Sequence, residues 1–401
     1  MNPVRRQWLA LLAGSAGGAA LAPGLARAAD RVPEASADSE DSVRPGRVLR
    51  FPRDHGAHLG ARTEWWYATG WLVAGEAEPD AATVQPAYGF QITFFRSRTG
   101  LAEGLKSRFA ARQLLFAHAA VTDLAARKHR HTQAIARWSG DPAARLAGAS
   151  RADCDVRLPG WSLARSESGD PARGAYRARI GNAEEGAAVG DAAPGFGFDL
   201  RLSRSQPLLL QGAAGYSRKG PDVGEASHYY SEPQLAVQGE LRLEKQRLAV
   251  RGRAWLDHEW SERILHPDAV GWDWIGIDLA DGSALTAFRL RRADGSTLWA
   301  GGSFRAAGRG STSFAPEAVR FQPGRLWSSP ASGARYPVEW QIETPAGRFA
   351  LRALMDAQEL DGGASTGSVY WEGLSELSGA DGRRVGLGYL EMTGYTAPLR
   401  L

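Results

Sequence analysis

Short runs of aromatic, β-branched and polar residues predict that most of the chain folds into β-strands. The run at 65–73 is typical, because it holds four aromatic residues and is followed by a glycine at position 75. Similar runs occupy 88–95, 114–122, 239–250 and 272–279. Few stretches show a 3.6-residue periodicity, the best being the short segment 316–320, so we expect a helix content well below about a third.

Asp-Gly dipeptides predict hairpin turns in the second half of the chain. They lie at 281–282, 294–295 and 381–382, each between two apolar segments, and Asp-Gly is favoured at the tight turn of a β-hairpin. Successive hairpins form an antiparallel meander. The sequence therefore predicts an all-β protein with antiparallel strands.

The first residues predict an export signal. Arg5 and Arg6 precede an apolar run at 8–22 and a small-residue site at 26–28, which is typical of a twin-arginine signal peptide covering 1–28. The apolar run is shorter than the roughly 20 residues of a membrane span. We therefore expect a periplasmic or secreted protein whose only membrane contact is through this segment or its substrate, followed by a flexible linker at 29–46.

The length of the chain predicts two β domains. Of 401 residues, about 370 would remain after export, and a single barrel of eight to ten strands needs roughly 150 to 200. A strand pair ends in a charged, aromatic segment near residue 261, and the hairpin meander follows. We therefore expect domains at 47–261 and 262–401.

Charge and cysteine content exclude several classes of function. The 48 basic residues exceed the 44 acidic ones, but three of the basic residues lie in the predicted signal, so no nucleic-acid partner is indicated. A single cysteine, Cys154, excludes an intramolecular disulfide and a cysteine-cluster metal site. The eight histidines are dispersed and no phosphate loop or dinucleotide motif occurs, so we expect neither a metal nor a cofactor.

The strongest candidate for chemistry is a trio of ionisable residues between two tryptophans. Asp257, His258 and Glu259 lie between Trp255 and Trp260. In a strand, the two acids share one face and His258 takes the other. Indole faces desolvate an acid and raise its pKa, which favours proton donation near neutral pH. The alternative is a buried polar network at the domain boundary in which His258 is hydrogen-bonded.

Two further segments place carboxylates among aromatic residues. Asp273 lies between Trp272 and Trp274, so a strand would put the indoles on one face and the carboxylate on the other. The alternative is an edge strand with Asp273 in solvent. Glu64 begins the aromatic run at 65–67. These segments could line an apolar cavity or a domain boundary.

Other candidates are weaker. His118 alternates with small apolar residues and is typical of a core histidine, the alternative being a site residue. His129 and His131 have metal-ligand spacing, but their basic surroundings favour a surface turn. Ser365 completes a Gly-x-Ser-x-Gly string that lacks the strand-turn-helix context of a nucleophile elbow, so we attribute the match to chance.

Seven ordered motifs give the chain a family resemblance. They lie at 64–70, 118–123, 229–233, 255–261, 271–274, 370–373 and 388–395. Together they resemble the AttH-like family, whose secreted members are often labelled predicted secreted hydrolases and which is related to the carotenoid 1,2-hydratases (hydroxyneurosporene synthases). The resemblance extends over residues 50–396 and implies two lipocalin-like antiparallel β-barrels in tandem.

The resemblance and the residues together predict an exported protein that acts on a hydrophobic isoprenoid or polyene, by cofactor-independent, acid-catalysed hydration. Such a site needs an acid of raised pKa, an apolar slot and aromatic faces for a carbocation. The expected catalytic residues are Asp257, His258, Glu259 and Asp273. The expected ligand-binding residues are Trp65, Trp66, Tyr67, His118, Tyr229, Trp255, Trp260, Trp272 and Trp274.

Two other functions remain open. A periplasmic carrier that passes a lipid or polyene to an ABC transporter would use the same aromatic residues as a ligand cage. A secreted hydrolase is the third possibility, although the sequence shows no pair of nucleophile and base.

Overall fold

The computed structural model describes residues 41–75, 79–80, 82–101, 103–105, 107, 110–141, 146–166, 174–181 and 195–399. The predicted signal peptide and most of the predicted linker lie outside these residues. At the end of the linker, Asp41 is buried and accepts hydrogen bonds from Arg53 and from the amide of Gly60, whereas residues 44–46 are exposed. The described residues belong to one compact unit, and the division at residue 261 stays a prediction.

The first sheet contains thirteen strands within the described residues. They are β1 (Thr63–Ala74), β2 (Tyr88–Arg98), β3 (Gln113–Asp123), β4 (Lys128–Trp138), β5 (Gly148–Ala149), β6 (Asp155–Leu158), β7 (Trp161–Ser166), β8 (Ala175–Ile180), β9 (Phe196–Ser203), β10 (Leu209–Leu210), β11 (Tyr216–Arg218), β12 (Ala226–Leu243) and β13 (Gln246–Ser261). Their order is β4-β3-β2-β1-β13-β12-β9-β8-β7-β6-β5, and β10 and β11 also pair with β12. Strands β3 and β4 contact β6, so the sheet curls back nearly into a barrel.

The second sheet follows in the chain. Its strands, with one separate hairpin, are β14 (Gly271–Leu279), β15 (Ala284–Arg291), β16 (Thr297–Arg305), β17 (Ser311–Ser313), β18 (Arg320–Pro323), β19 (Leu326–Ser328), β20 (Arg335–Pro337), β21 (Glu339–Thr344), β22 (Gly347–Ala353), β23 (Glu359–Asp361), β24 (Val369–Ser378) and β25 (Arg384–Met392). The order is β17-β16-β15-β14-β25-β24-β22-β21-β18; β23 pairs with β24, and β19 and β20 form the separate hairpin.

The all-β prediction is confirmed. Every strand pair within the described residues is antiparallel. The helical elements in the same residues are two short 3-10 turns, Arg53–His55 and Pro316–Ala318. No helix in the described part of the chain is long and apolar enough to cross a membrane.

The three predicted Asp-Gly hairpins are present. They join β14 to β15, β15 to β16 and β24 to β25. Gly282, Gly295 and Gly382 have φ angles of 86°, 83° and 75°, a region that glycine enters without steric cost. The turn predicted for His129 and His131 is wrong, because both lie on β4, where His129 pairs with Thr122 of β3. The turn precedes them, and β3 supplies the partner that local sequence could not reveal.

Three apolar clusters define where the core lies. One fills the concave side of the first sheet and one the concave side of the second. A third lies where the two sheets face each other, and it combines Trp71 and Trp255 of the first sheet with Trp274, Phe288 and Tyr389 of the second. The central strands of both sheets are therefore covered on both faces.

The pairing of β1 with β13 decides which residues occupy each face. Trp66 is opposite His258 and Tyr67 is opposite Asp257, and directly opposed residues project to the same side of a sheet. The first pair points into the first sheet's interior, whereas the second pair points toward the second sheet. Neighbouring residues of one strand therefore serve two separate environments.

Glu64 is the centre of a polar network inside the first sheet. Its fully buried carboxylate accepts a hydrogen bond from Arg96 Nε at 2.7 Å and lies 2.7 Å from His58 Nδ1 and 3.0 Å from His258 Nε2. The other ring nitrogen of His58 lies 3.0 Å from Asp54 Oδ1. Burial alone would raise the pKa of Glu64, but Arg96 and the two histidines lower it well below its ordinary range.

Aromatic rings enclose this network. The Trp66 ring stacks on His258 with ring centres 4.8 Å apart, and the Trp260 ring stacks on His58 at 3.6 Å. His258 Nδ1 lies 3.1 Å from the hydroxyl of Tyr230. His258 is thus buried and hydrogen-bonded, as expected for a structural network, and both of its ring nitrogens are used.

Replacing Arg96 should lower the free energy of unfolding much more than replacing an exposed arginine. Arg96→Ala removes the guanidinium partner of the buried Glu64 and leaves only the two histidines beside it, so we expect a loss of about 3–5 kcal/mol in the free energy of unfolding. The control is Arg177→Ala, which removes an exposed pair with Asp199 and should cost about 0–1 kcal/mol. Urea denaturation measures both, and similar losses in the two variants would contradict the role given to Glu64.

Candidate functional site

A cleft lies between the facing surfaces of the two sheets. Its cavity volume is about 90 Å³, within about 820 Å³ of space free of protein atoms that includes open solvent. Its apolar walls include Trp65, Phe95, Trp272, Trp274, Phe288 and Leu290. Its polar groups include Tyr67, Lys219, Asp257, Glu259, Glu372 and Glu391. Four carboxyl groups therefore share a largely aromatic cavity.

Strand alternation explains why these residues meet. In the first sheet, Tyr67 and Asp257 are cross-strand partners. In the second sheet, β25 supplies Glu391, whose partners are Trp274 on β14 and Glu372 on β24. Because partners project to the same side, each sheet presents a row of aromatic and acidic side chains to the other.

Asp257 is held by three uncharged donors. Its carboxylate accepts hydrogen bonds from Tyr229 and Trp255, each at 2.7 Å, and from Ser231 at 2.5 Å. Burial raises the pKa of Asp257 to about 7, although the bonds from Ser231, Tyr229 and Trp255 act in the opposite direction. An acid with this pKa exchanges its proton near neutral pH.

Glu259, two residues along the same strand, has a cation beside it. Lys219 Nζ lies 3.0 Å from Glu259 Oε1. The same ammonium group lies 4.8 Å from the ring centre of Tyr229 and 4.4 Å from that of Phe288, within the range of a cation–π contact. Lys219 therefore neutralises Glu259 and leaves Asp257 without a cationic partner in the cleft.

Glu372 and Glu391 form a second acidic pair on the opposite wall. They are directly opposed on β24 and β25, where like charges destabilise a sheet. Burial and the neighbouring Glu391 raise the pKa of Glu372 well above its ordinary range. Burial, and then Asp257 and Glu259, raise the pKa of Glu391 to about 7. The pair therefore retains at least one proton at neutral pH.

Two buried polar atoms of the cleft make no hydrogen bond of good geometry with the described residues, although their two side chains lie close enough to shift each other's pKa. They are the Tyr67 hydroxyl and Glu372 Oε1, in residues that are 6% and 2% exposed. An unsatisfied buried polar group costs about 1–3 kcal/mol. Both atoms line the cavity, so a molecule bound there would supply the missing hydrogen bonds.

The structure brings together most of the predicted ligand-binding residues and both acids of the central trio. Those that line the cleft are Trp65, Tyr67, Tyr229, Asp257, Glu259, Trp272 and Trp274. Trp255 lies behind them, where it bonds to Asp257 and packs against Trp274 with ring centres 6.3 Å apart. A Cβ atom at Gly276 would be only 2.4 Å from the Trp274 ring, so this packing requires glycine there.

Five predicted site residues lie elsewhere. Trp66, His258 and Trp260 point into the interior network of the first sheet. Asp273 is buried inside the second sheet, where Arg289 Nε donates to it at 2.7 Å, so it is neither in the cleft nor in solvent. These four residues are not in contact with the cleft. Side chains alternate along a strand, so each of the four lies on the opposite face from the neighbouring cleft residues.

His118, the fifth, is one side chain removed from the cleft. Its Nδ1 lies 2.8 Å from the hydroxyl of Tyr370, which lines the cavity, and its Nε2 lies 2.7 Å from Ser365 Oγ. Burial lowers the pKa of His118 to about 4. Ser365 is poorly placed to act as a nucleophile, because its hydroxyl donates to Gln133. The amides of 365–367 all donate to the carbonyl of Gly362, so they are not free to stabilise an oxyanion.

Among the described residues, one group has the composition of a metal site. Ligand atoms of His58, Glu64 and His258 lie within 4.8 Å of one another. Each of these atoms already makes a hydrogen bond, and Arg96 occupies the second oxygen of Glu64. A cation would have to displace these bonds beside a guanidinium group, so the donor set fits a structural network better than a metal centre.

Sequence reasoning missed three charged residues of the cleft. Glu372 and Glu391 each follow aromatic residues in a strand, as Asp257 does, and that shared pattern could have singled them out. Lys219 carries no such signal, because it follows the short strand β11 in a polar loop. Its approach to Glu259 depends on tertiary packing.

Comparisons with known proteins agree with this architecture. A putative AttH protein from Nitrosomonas europaea has a solved structure with 43% sequence identity and a TM-score of 0.74, covering 88% of this chain and 99% of its own. Kievitone hydratase from Nectria haematococca has 15% identity and a TM-score of 0.60, covering 87% of this chain and 94% of its own. That likeness supports a shared lipocalin-like fold. A search of curated proteins found no significant match. The AttH-like family matches residues 42–395, and the chain belongs to this family.

Proposed function

We propose that this protein adds water to a carbon–carbon double bond of a hydrophobic isoprenoid or polyene bound in the cleft, with Asp257 as the proton donor. The observation that carries the proposal is the position of Asp257. It is a buried acid with a pKa of about 7, and it faces a cavity walled by Trp65, Trp272 and Trp274. Each requirement of acid-catalysed hydration thus has a residue to meet it.

The proposed reaction begins with the transfer of a proton from Asp257. The Asp257 hydroxyl gives its proton to one alkene carbon, and the two electrons of the π bond form the new C–H bond. The neighbouring carbon becomes a cation, which indole faces stabilise by about 2 kcal/mol or more when desolvated. A lone pair of water forms the C–O bond, and the water's extra proton passes to a carboxylate of the cleft. The bonds from Tyr229, Ser231 and Trp255 stabilise the Asp257 carboxylate after it has lost its proton.

The comparisons support hydration without identifying the substrate. Kievitone hydratase is a hydratase with a similar fold, and the AttH-like family that the motifs of this chain resemble is related to the carotenoid 1,2-hydratases. At 15% identity the likeness to kievitone hydratase extends to the fold alone. The isoprenoid or polyene substrate therefore rests on the apolar cleft and the motif resemblance.

A carrier that delivers such a molecule to an ABC transporter is the alternative. An aromatic cavity with few polar groups suits binding as well as catalysis. However, a carrier gains nothing from placing Asp257 where burial raises its pKa at a cost to stability. This cost favours the enzyme over the carrier. A hydrolase is disfavoured by the hydrogen bonds of Ser365 described above.

Asp257→Asn should abolish water addition while leaving ligand binding intact. Wild-type protein incubated with lycopene or with kievitone in ¹⁸O-labelled water should form an ¹⁸O-labelled alcohol from at least one of them, detected by mass spectrometry. Loss of a general acid typically lowers turnover about 10²- to 10⁴-fold. Quenching of tryptophan fluorescence, which reports binding beside Trp272 and Trp274, should be unchanged.

Asp381→Asn, in the exposed turn between β24 and β25, is the matched control and should keep full activity. Binding without labelling in the wild-type protein would instead indicate a carrier. Full turnover by Asp257→Asn would mean that the proton comes from another group.

The titration of Asp257 should also be visible in stability. Because burial raises the pKa from 3.8 to about 7, the folded state binds the extra proton between these values and becomes less stable as pH rises through them. Asp257→Asn removes this effect. The stability of the variant relative to wild type should therefore rise by about 1.4 kcal/mol per pH unit between about pH 4 and pH 7. Urea denaturation across this range measures the trend, and a constant difference would show that Asp257 titrates normally.

We further propose that the protein is exported by the twin-arginine route. The support is the sequence at Arg5 and Arg6, followed by a short apolar run. Replacing both arginines by lysine should leave unprocessed protein in the cytoplasm of the producing cell, as seen by fractionation and immunoblotting. Normal maturation of this double variant would exclude the route, though not export by another signal-dependent pathway.

A further inference from the structure

Hydration needs a place for water as well as for the alkene, and most of the cleft wall is apolar. The two acids of the first sheet that line the cleft are occupied, since Asp257 binds Tyr229, Ser231 and Trp255, and Glu259 binds Lys219. Tyr370 is occupied too, because its hydroxyl lies 2.8 Å from His118. A water molecule would therefore find few free partners along these parts of the wall.

Tyr67 and Glu372 provide those partners. The Tyr67 hydroxyl and Glu372 Oε1 line the cleft, are buried and make no hydrogen bond of good geometry with the described residues. After burial, Glu372 and then Glu391 contribute most to raising the pKa of Tyr67 above its ordinary range, which places all three groups close together. Tyr67 is also the cross-strand partner of Asp257, so this polar corner lies beside the proposed proton donor.

We propose that Tyr67 and the Glu372–Glu391 pair hold the water molecule that adds to the carbocation and that the pair accepts its proton. This assignment rests on the proposed hydration. Water can accept one hydrogen bond from the Tyr67 hydroxyl and donate one to a carboxylate of the pair. One lone pair of its oxygen then remains free to form the C–O bond.

The cleft gains as many protons as it loses during the proposed reaction. Asp257 loses one proton to the alkene carbon, and Glu391 or Glu372 gains one from the attacking water. The charge of the cleft is the same before and after turnover, and a proton returning to Asp257 from the pair restores the starting state. Asp257 contributes to raising the pKa of Glu391 across the cleft, which is consistent with the two acids lying near each other.

The fold also gives a reason for the unusual pairing of Glu372 with Glu391. Directly opposed carboxyl groups are unfavourable in a sheet, and two buried ones can coexist only by retaining a proton. A pair with one proton still has a carboxylate oxygen that can accept a hydrogen bond from water and then its proton. Tyr67 supplies the donor, so one lone pair of the water oxygen stays free for the cation.

The fate of the carbocation tests this assignment. When water is absent, the cation can only lose a proton again and return an alkene. With lycopene in deuterium oxide, wild-type protein should form mainly deuterated alcohol. In Glu372→Gln and Tyr67→Phe, the ratio of alcohol to deuterated alkene should fall at least about tenfold. Mass spectrometry measures both products in one sample, so the ratio does not depend on the amount of active protein.

Tyr67→Phe distinguishes the loss of a water-binding group from a loss of stability. It removes a hydroxyl group that makes no hydrogen bond of good geometry, so the free energy of unfolding should change little while the product ratio falls. Glu376→Gln is the matched control for the carboxyl variant. Glu376 lies on the same strand outside the cleft lining, where it pairs with Arg352 at 2.6 Å, so its replacement should leave the ratio unchanged.

An unchanged ratio in both cleft variants, or an equal fall in Glu376→Gln, would overturn the assignment while the proposed hydration stands. If wild-type protein forms neither deuterated product, the proposed hydration fails and the water site fails with it. Asp257→Asn separates the two roles, because it should suppress alcohol and deuterated alkene alike.

Discussion

The buried carboxylate of Glu64 is the constraint on which the rest of the molecule depends. A charge in a sheet interior persists only with close partners, and Glu64 has Arg96 from β2, His258 from β13 and His58 from the segment before β1. These contacts fasten three adjacent strands in a single register. That register is what turns Tyr67 and Asp257 toward the second sheet.

Two acids of the cleft are almost neighbours in sequence but have different surroundings. Glu259 faces the ammonium group of Lys219 at 3.0 Å, whereas Asp257 has only neutral donors and burial raises its pKa to about 7. Different environments thus give similar residues different chemical roles. The stability lost by burying Asp257 and by opposing Glu372 with Glu391 is offset by the extensive aromatic packing between the sheets.

Local patterns in the sequence were sufficient for the strands, the Asp-Gly hairpins and the all-β class, because all three depend on residues close in the chain. Alternation within 255–261 also separated Asp257 and Glu259 from His258. Alternation alone does not show which face of the strand lines the cleft, because both faces carry aromatic and ionisable residues. The sequence therefore predicts ligand or catalytic roles for Trp66, Trp260 and Asp273, although all three face sheet interiors. The opposition of Glu372 and Glu391, and the approach of Lys219, arise from pairings between distant segments that no local pattern records.

The two-sided use of β13 limits how this protein can diverge. Side chains alternate with a period of two, so inserting or deleting one residue within the strand would send His258 and Trp260 toward the second sheet and Asp257 into the space beside Glu64. A single length change would remove both the support of the fold and its acid. Evolution of this strand is therefore confined to substitutions, and related proteins with new substrates should differ in the identities of cleft residues while their numbers of residues between Trp255 and Ser261 remain equal.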